Sequence, residues 1–186
     1  MKMHTDDIPR EELHLRQIQF RGWRRGDGLF EIEASLTDRK PHDFRPPSDV
    51  HVVAAGDAIH DLGRPLVIGA DMVVREVRTT FDAYPYRQCN GGGESLQALI
   101  GLKIGAGWSG EVRKRLPTGD TCAHLRELLI PLASAATIAL TSARNPADLD
   151  ALGPDGTPRK IDTCYAYGAS RELVLQRWPS FHKPAP

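Results

Sequence analysis

The sequence has few cysteines and no excess of charge of either sign. Among its 186 residues only Cys89, Cys122 and Cys164 are cysteines, and they are too few and too scattered for a disulfide framework. We therefore expect reduced thiols and a cytoplasmic protein. Lysine plus arginine and aspartate plus glutamate both number 24, so the formal net charge is zero. That balance argues against nucleic-acid or anionic-membrane partners, which select for clustered basic side chains.

Long hydrophobic runs are also scarce. No apolar run approaches the roughly 20 residues that span a bilayer, and residues 1–10 contain no signal-peptide core. The length suits one domain that can bury a core without disulfide or metal staples. We predict a disordered lead over residues 1–11, a single domain over residues 12–178 and a loose tail over residues 179–186.

The clearest helical pattern lies in residues 118–144. Apolar side chains recur there at steps of three and four residues, as on one face of a helix: Cys122, Leu125, Leu129, Leu132, Ala136 and Ala139. Asp120 or Thr121 can cap the first turn, and Pro131 predicts a kink or a division of the helix. A second, shorter helix is predicted over residues 94–104.

Alternating apolar and polar residues predict strands on both sides of these helices. Residues 13–23, with a bulge, and residues 30–37 form one expected hairpin. Residues 64–68 and 72–81 form a second, and residues 161–167 and 172–178 a third. Hairpins with two helices among them predict an α+β fold, a curved antiparallel sheet packed on one long and one short helix.

Several motifs in order resemble one protein family. They are Arg21-Gly22-Trp23-Arg24-Arg25, Leu36-Thr37-Asp38-Arg39-Lys40-Pro41-His42-Asp43-Phe44, His60-Asp61-Leu62, Asp82-Ala83-Tyr84-Pro85 with Cys89, Gly107-Trp108, and Cys122-Ala123-His124-Leu125. This arrangement resembles a bacterial family catalogued as domain of unknown function 2889. The resemblance implies a single-domain cytosolic protein and brings no activity, cofactor or catalytic residue. An association of relatives with aromatic-acid catabolism points to a substrate class.

The first chemical hypothesis is a metal centre at the start of the long helix. Cys89, Cys122 and His124 are residue types that bind zinc, with His60, Asp61 or Asp82 as further ligands. A zinc ion with an open position could activate water for hydrolysis. The spacing lacks a Cys-x-x-Cys pair or a His-Glu-x-x-His helix, so the alternative that Cys122 and His124 are ordinary core and helix-end residues stays open.

Two further hypotheses need no metal. In one, Cys122 is a nucleophile with a lowered pKa at a helix start, and His124 or His60 is its base. In the other, His124, His60 and Asp82 transfer protons, while substrate is held by Arg87, Arg126 and Asp61. The alternative without a catalytic role is that Asp61 and Asp82 only cap turns and that Arg87 and Arg126 are exposed to solvent.

Together these patterns predict a small enzyme, a hydrolase before a lyase or isomerase, acting on a small carboxylate or aromatic-acid substrate. Zinc is the candidate cofactor and a homo-oligomer is left open. The alternative function is a non-catalytic small-molecule-binding or accessory protein. The enzyme hypothesis depends on His60, Asp82 and Cys89 meeting Cys122 and His124 at the start of the long helix. In the alternative, the sheet and helix enclose an apolar pocket and these motifs only shape turns.

Overall fold

The first hairpin has an uninterrupted ladder. In the computed structural model, which describes residues 8–47, 51–143 and 151–184, β1 (Leu15–Arg24) pairs antiparallel with β2 (Phe30–Arg39). The register runs unbroken from Leu15 opposite Arg39 to Arg24 opposite Phe30. The hairpin prediction is confirmed, but the predicted bulge is wrong. β1 is an exposed edge strand, so its apolar residues need not share one parity.

The third strand connects the rest of the sheet to this hairpin. β3 (Ala58–Ile68) pairs with β2 on one side, and on the other with β4 (Val74–Val77) and β5 (Thr80–Ala83). The second predicted hairpin is confirmed for β3 and β4, but its second arm, predicted as one strand over residues 72–81, is divided between β4 and β5. β2 extends to Arg39 and β3 begins at Ala58, so residues 40–57 lie between these two strands in the chain.

The long helix packs on this sheet. α2 (Ala123–Ala143) runs as one helix through Pro131, so the predicted division is wrong. Its buried side chains are Leu125, Leu128, Leu129, Leu132, Ala136 and Leu140, and they join the buried side chains of β2, β3 and β4 in one core. The α+β fold prediction is confirmed, with an antiparallel sheet of five strands.

The second helix differs from its prediction in position and type. The helix predicted over residues 94–104 is replaced by a 3₁₀ helix at Cys89–Leu99, and α1 (Trp108–Arg115) follows. Three consecutive glycines within the 3₁₀ helix carry no side chain to pack, so tertiary contacts decide its form. Trp108 is buried, and its Nε1–H donates to the carbonyl of Leu129 at 2.8 Å, which ties α1 to α2.

The chain divides into two compact units, Met1–Leu140 and Thr141–Pro186. In the second unit, Tyr165–Tyr167 forms a 3₁₀ turn and α3 (Glu172–Arg177) a short helix with Val174 buried. The third predicted hairpin is therefore wrong. Short apolar runs do not by themselves distinguish strand from helix, and Glu172 stabilises a helix amino terminus. The single domain expected over residues 12–178 spans both units and stays a prediction.

Some predictions concern other parts of the chain. Residues 1–7 of the predicted lead, residues 185–186 of the tail and the last residue of the helical pattern over residues 118–144 lie outside the described residues.

α2 also bears on the search for membrane spans. By length and composition it could cross a bilayer, with a mean hydropathy of 1.3 over 18 residues, so the expectation that no apolar run approaches that length is too strict. One such helix is weak support for a membrane span, since core helices of soluble proteins meet the same criterion. Here the buried leucines of α2 pack against the sheet.

Close packing of α2 on β1 depends on Gly22. A Cβ added at Gly22 would lie 2.5 Å from the Cβ of Ala139. We expect Gly22→Ala to lower the free energy of unfolding by about 1–3 kcal/mol, the usual effect of overpacking. Urea unfolding measures it.

Gly26→Ala is the matched control, because no atom lies within 4 Å of a Cβ at Gly26. Adding Ala139→Gly to Gly22→Ala should recover part of the loss, giving a positive coupling in the double-mutant cycle. Equal effects of the two glycine substitutions would contradict the close approach.

Candidate functional site

A buried carboxylate lies at one end of the sheet's core face. Asp38 directly opposes Arg16 on β1 and His60 on β3, and only 3% of its side chain is exposed. Arg16 donates from Nε to Oδ1 at 2.8 Å and from Nη2 to Oδ2 at 2.9 Å. His60 Nδ1 lies 2.9 Å from Oδ2, and His14 Nε2 lies 2.9 Å from Oδ1. Four nitrogens thus surround one carboxylate.

These contacts decide the charge of Asp38. Burial raises its pKa, but the hydrogen bonds and charge of Arg16, then His14 and His60, outweigh burial and lower the pKa from 3.8 to about 2. Asp38 is therefore ionised at neutral pH. An anion fixed in this way can orient an imidazole and stabilise its protonated form.

The shifted pKa of Asp38 predicts an acid-sensitive contribution to stability. A carboxyl group whose pKa is lower folded than unfolded stabilises the fold above its unfolded pKa of about 3.9, by about 2 kcal/mol here. That contribution disappears as the pH falls through about 2. Urea unfolding of the wild type and Asp38→Asn at pH 6, 4 and 2.5 should show their stability difference shrinking with acidity. A constant difference would contradict this.

The start of α2 brings a second imidazole to the same carboxylate. His124 Nε2 lies 4.0 Å from Asp38 Oδ2, and the His124 and His60 rings lie 4.0 Å apart between centroids. One turn further along α2, Glu127 accepts a hydrogen bond of 2.7 Å from Arg16 Nη1. Burial first, and then the charge of His124, lower the pKa of His60. His60 is therefore less readily protonated than an ordinary histidine.

Cys122 immediately precedes α2. Burial raises the pKa of its thiol, but hydrogen bonding by the His124 side chain, and then by the amides of Leu125 and His124, outweighs burial, so the pKa is lowered overall. The amide of Cys122 donates to the carbonyl of Gly92 at 3.0 Å. A Cβ at Gly92 would lie 2.6 Å from that same amide nitrogen, so only glycine allows this approach of the two backbones.

The thiol and His124 open onto a cleft. A space of about 770 Å³ is lined by Cys122 and His124 from the start of α2, and by Tyr86 and Cys89 from the opposite wall. Its size is that of a small-molecule site. The cleft therefore places a thiol, an imidazole and an aromatic ring around one space.

A metal could in principle bridge part of this cluster. Asp38, His60 and His124 each offer a ligand atom within 4.8 Å of the others. However, both Asp38 oxygens already accept hydrogen bonds from Arg16, whose positive charge would repel a bound cation. We therefore interpret the three side chains as a hydrogen-bonded cluster, and zinc stays a prediction.

The structure brings some of the sequence-predicted residues together. His60 and His124 are in ring contact, and Cys89, Cys122 and His124 line one cleft. This is part of the spatial arrangement that the enzyme hypothesis required, since Asp82 is not among the residues that line the cleft. Their roles as proton donors, ligands or nucleophile stay predictions.

Other predicted residues lie elsewhere. Asp61 follows His60 on β3 and so points to the opposite face of the sheet. Asp82 and Arg87 are exposed and do not line the cleft. Arg126 Nη1 donates to the Leu116 carbonyl at 3.3 Å and to Thr118 Oγ1 at 2.9 Å, so its described contacts hold the loop before α2.

Sequence reasoning missed the centre of the cluster, Asp38, with its partners Arg16 and His14. The burial of Asp38 could have been predicted from the sequence. In β2, Asp38 follows Ile32, Ala34 and Leu36 at steps of two residues, and these side chains form the core face of the strand. A carboxylate at that position is rarely buried unless it is paired. Its partners could not be identified without the strand register.

The fold and cluster define an α+β domain with a buried carboxylate that joins two strands to the start of a core helix. The chain belongs to the family described as Protein of unknown function (DUF2889), whose model matches residues 14–138. The match begins at His14 and includes every residue of the cluster and the cleft. No curated protein and no solved structure matches the chain.

Proposed function

We propose that the protein is a small hydrolase in which Cys122 is the nucleophile, His124 the general base and acid, and Asp38 the charge that supports His124. One observation carries the proposal. Cys122 and His124 line the same cleft at the start of α2, and Nε2 of His124 lies 4.0 Å from Oδ2 of the ionised Asp38. Nucleophile, base and supporting carboxylate are the parts that covalent acyl transfer needs.

The reaction follows from these parts. The Cys122 thiol gives its proton to His124, and the sulfur attacks the carbonyl carbon of an ester, thioester or amide. A carbon–sulfur bond forms, the bond to the leaving group breaks, and the imidazolium of His124 protonates the leaving group. Water then attacks the thioester while His124 accepts its proton. The carbon–sulfur bond breaks, and His124 returns the proton to the sulfur, so that the carboxylic acid is released and the thiol is regenerated.

Two neighbours favour proton transfer through His124. Asp38 stabilises the imidazolium electrostatically, because its own pKa is about 2 and it stays negative. Burial and the nearby charge lower the pKa of His60, so His60 tends to stay neutral when His124 carries the proton. A neutral ring in contact avoids a second positive charge beside the first.

The cleft indicates the substrate class. About 770 Å³ accommodates a small molecule rather than a polypeptide segment, and Tyr86 offers an aromatic face at the wall. We therefore expect acyl compounds of small carboxylic acids, aromatic ones among them. Arg126 is committed to Leu116 and Thr118, so recognition of a second carboxylate on the substrate does not follow from it.

The proposal is tested by trapping the intermediate. The purified protein is mixed with p-nitrophenyl acetate and p-nitrophenyl benzoate, quenched in acid within milliseconds to seconds and digested. Peptide mass spectrometry should find an acetyl or benzoyl group on Cys122 that disappears with time. An adduct only on exposed Cys164, or turnover that persists in Cys122→Ala, would overturn the proposal.

The zinc hypothesis predicts a different result. A thiolate that ligates zinc is deprotonated and protected by the metal. Elemental analysis of protein purified without chelator would then give about one equivalent of zinc, and chelation would abolish turnover. A protein that binds benzoate without hydrolysing any ester would instead support the non-catalytic alternative.

A further inference from the structure

One edge of the sheet has no partner among the described residues. β1 is the first strand of the order β1-β2-β3-β4, and within the described chain no strand pairs with its outer side. It is ten residues long, its ladder with β2 has no bulge, and it contains neither proline nor lysine. Short strands, bulges, prolines and lysines are the features that keep exposed edges from pairing. The outer side of β1 is therefore a regular edge that a further strand can join.

The hydrogen bonds at the first turn show which backbone groups β1 directs outward. The amide of Arg25 donates to the carbonyl of Leu29 at 2.9 Å, and this pair directly follows the pair of Arg24 and Phe30 in the register. Hydrogen-bonded and non-hydrogen-bonded pairs alternate along an antiparallel ladder, so the odd-numbered residues of β1 bond to β2. The backbone groups directed at the open edge belong to the even-numbered residues: Arg16, Ile18, Phe20 and Gly22.

Apolar side chains are exposed along this edge. Ile18 lies opposite the fully buried Leu36 and so on the core face, yet 39% of Ile18 is exposed. On the other face of the sheet, Leu15 is 39% exposed and Trp23 is 50% exposed. The core therefore ends before it covers β1, and a strand added beside β1 would cover apolar side chains on both faces.

We propose that β1 pairs antiparallel with β1 of a second copy of this chain, with the two-fold axis between the two Gln19 residues. The two five-stranded sheets then form one continuous sheet. Leu15 lies opposite Trp23 of the second copy, and Ile18 lies opposite Phe20. Each pair occurs twice because the interface is symmetric, and apolar pairs across strands stabilise a sheet.

Charge and hydrogen bonding favour this register. No arginine of β1 lies opposite another arginine of β1, and Arg21 lies opposite Gln17 of the second copy, whose amide oxygen can accept a hydrogen bond from it. The even-numbered residues exchange backbone hydrogen bonds with one another, as their outward direction requires. A shift by two residues in one direction places Phe20 opposite Arg16, and a shift in the other places Trp23 opposite Gln17.

The interface lies beside the Asp38 cluster. Arg16, which binds Asp38, lies opposite Gly22 of the second copy, where no side chain displaces its guanidinium. The second copy therefore covers part of the exposed side of the cluster. The proposal does not depend on the hydrolase, because Cys122 and His124 lie at the start of α2 and not on β1.

Sedimentation equilibrium of the full chain tests the assembly. At tens of micromolar the wild type should sediment with twice the mass of one chain. Gln19→Glu places two carboxylates opposite each other at the axis, so the dissociation constant should rise by about fivefold or more. Gln17→Glu is the matched control. It makes the same change at another exposed position of β1, but the new carboxylate faces Arg21 of the second copy and should not weaken the dimer.

The register is tested by cross-linking in a Cys164→Ser background, which removes the exposed thiol. Across a non-hydrogen-bonded antiparallel pair the Cα atoms lie about 4.5 Å apart, a separation that a disulfide spans. Gln19→Cys should therefore give a covalent dimer on a non-reducing gel after oxidation with diamide. Gln17→Cys should not, because position 17 faces Arg21 and not its own copy.

Two results would overturn the proposal. One is a wild type that stays monomeric at hundreds of micromolar, in which case the edge would be left for a strand of another protein. The other is a dimer that Gln19→Glu does not weaken and Gln19→Cys does not cross-link, since that dimer would use a different surface. Neither result bears on the acyl adduct at Cys122, so the dimer and the hydrolase are tested separately.

Discussion

Cys122→Ser should lower the turnover of a p-nitrophenyl ester by about three orders of magnitude or more while leaving the fold intact. Serine keeps the size and the hydrogen bonds to the amides that follow Cys122, but its hydroxyl is a far weaker nucleophile than a thiolate at neutral pH. Losses of this size are typical when the nucleophile of a cooperating group of residues is removed. Steady-state kinetics with circular dichroism as a folding check measure the effect.

The matched control is Cys164→Ser. Cys164 is an exposed free thiol that does not line the cleft, so its loss should leave turnover within about twofold. Cys89→Ser tests a thiol that lines the cleft together with Cys122. Unchanged turnover in Cys122→Ser would contradict the proposed nucleophile, whatever Cys89→Ser does.

Asp38→Asn should lower the free energy of unfolding by about 3 kcal/mol at pH 7. The substitution keeps the volume but removes the negative charge that pairs with Arg16 and contacts His14 and His60. Removing one partner of a buried ion pair commonly destabilises by about 3–5 kcal/mol, since the other charge is left uncompensated. The lower value is expected here because 31% of the Arg16 side chain is exposed. Urea unfolding at pH 7 measures it.

Asp27→Asn provides the control for this substitution. Asp27 also pairs with an arginine, Arg25, but 47% of the Asp27 side chain is exposed, and surface pairs contribute little. We expect the urea midpoint of Asp27→Asn to stay close to that of the wild type. A similar loss of stability for both substitutions would show that burial of Asp38 does not matter.

A folded Asp38→Asn protein should also hydrolyse esters more slowly than the wild type, because the negative charge that stabilises protonated His124 is gone.

The first strands show what local pattern can predict. Strict alternation in β2 predicts the correct strand and the correct buried face, because a strand with one face on the core must repeat every two residues. The apolar steps of three and four from Leu125 to Ala139 predict α2 for the equivalent reason. The predicted bulge in β1 is wrong because an exposed edge strand is not required to keep its apolar side chains on one parity.

The second unit shows where local pattern fails. Residues 172–178 contain the apolar run Leu173-Val174-Leu175, which is too short to distinguish strand from helix. Only Val174 is buried in α3, so a single buried side chain decides which conformation forms. Local pattern also fails to predict the 3₁₀ helix at Cys89–Leu99. Its three glycines favour no single backbone conformation that could be read from the sequence.

Only part of the candidate site could be predicted from the sequence. Cys122 and His124 could be identified because both stand at a visible helix start, where the chemistry of free amides is known in advance. Their neighbours could not. Whether His60 or Asp61 faces the helix depends on strand parity, and the partner of His60 across the sheet, Asp38, depends on register.

The sequence by itself determined the α+β class, the long core helix, the first two hairpins and the presence of a thiol and an imidazole at the start of α2. These follow from interactions between residues close in the chain. Tertiary structure alone decided that Asp38 binds Arg16, His14 and His60, and that Arg64 donates to the carbonyl of Leu125. These pairs join residues 22 to 61 positions apart in the chain. They form because a charged side chain that is buried in the core needs a particular hydrogen-bond partner, which only the folded structure brings near it.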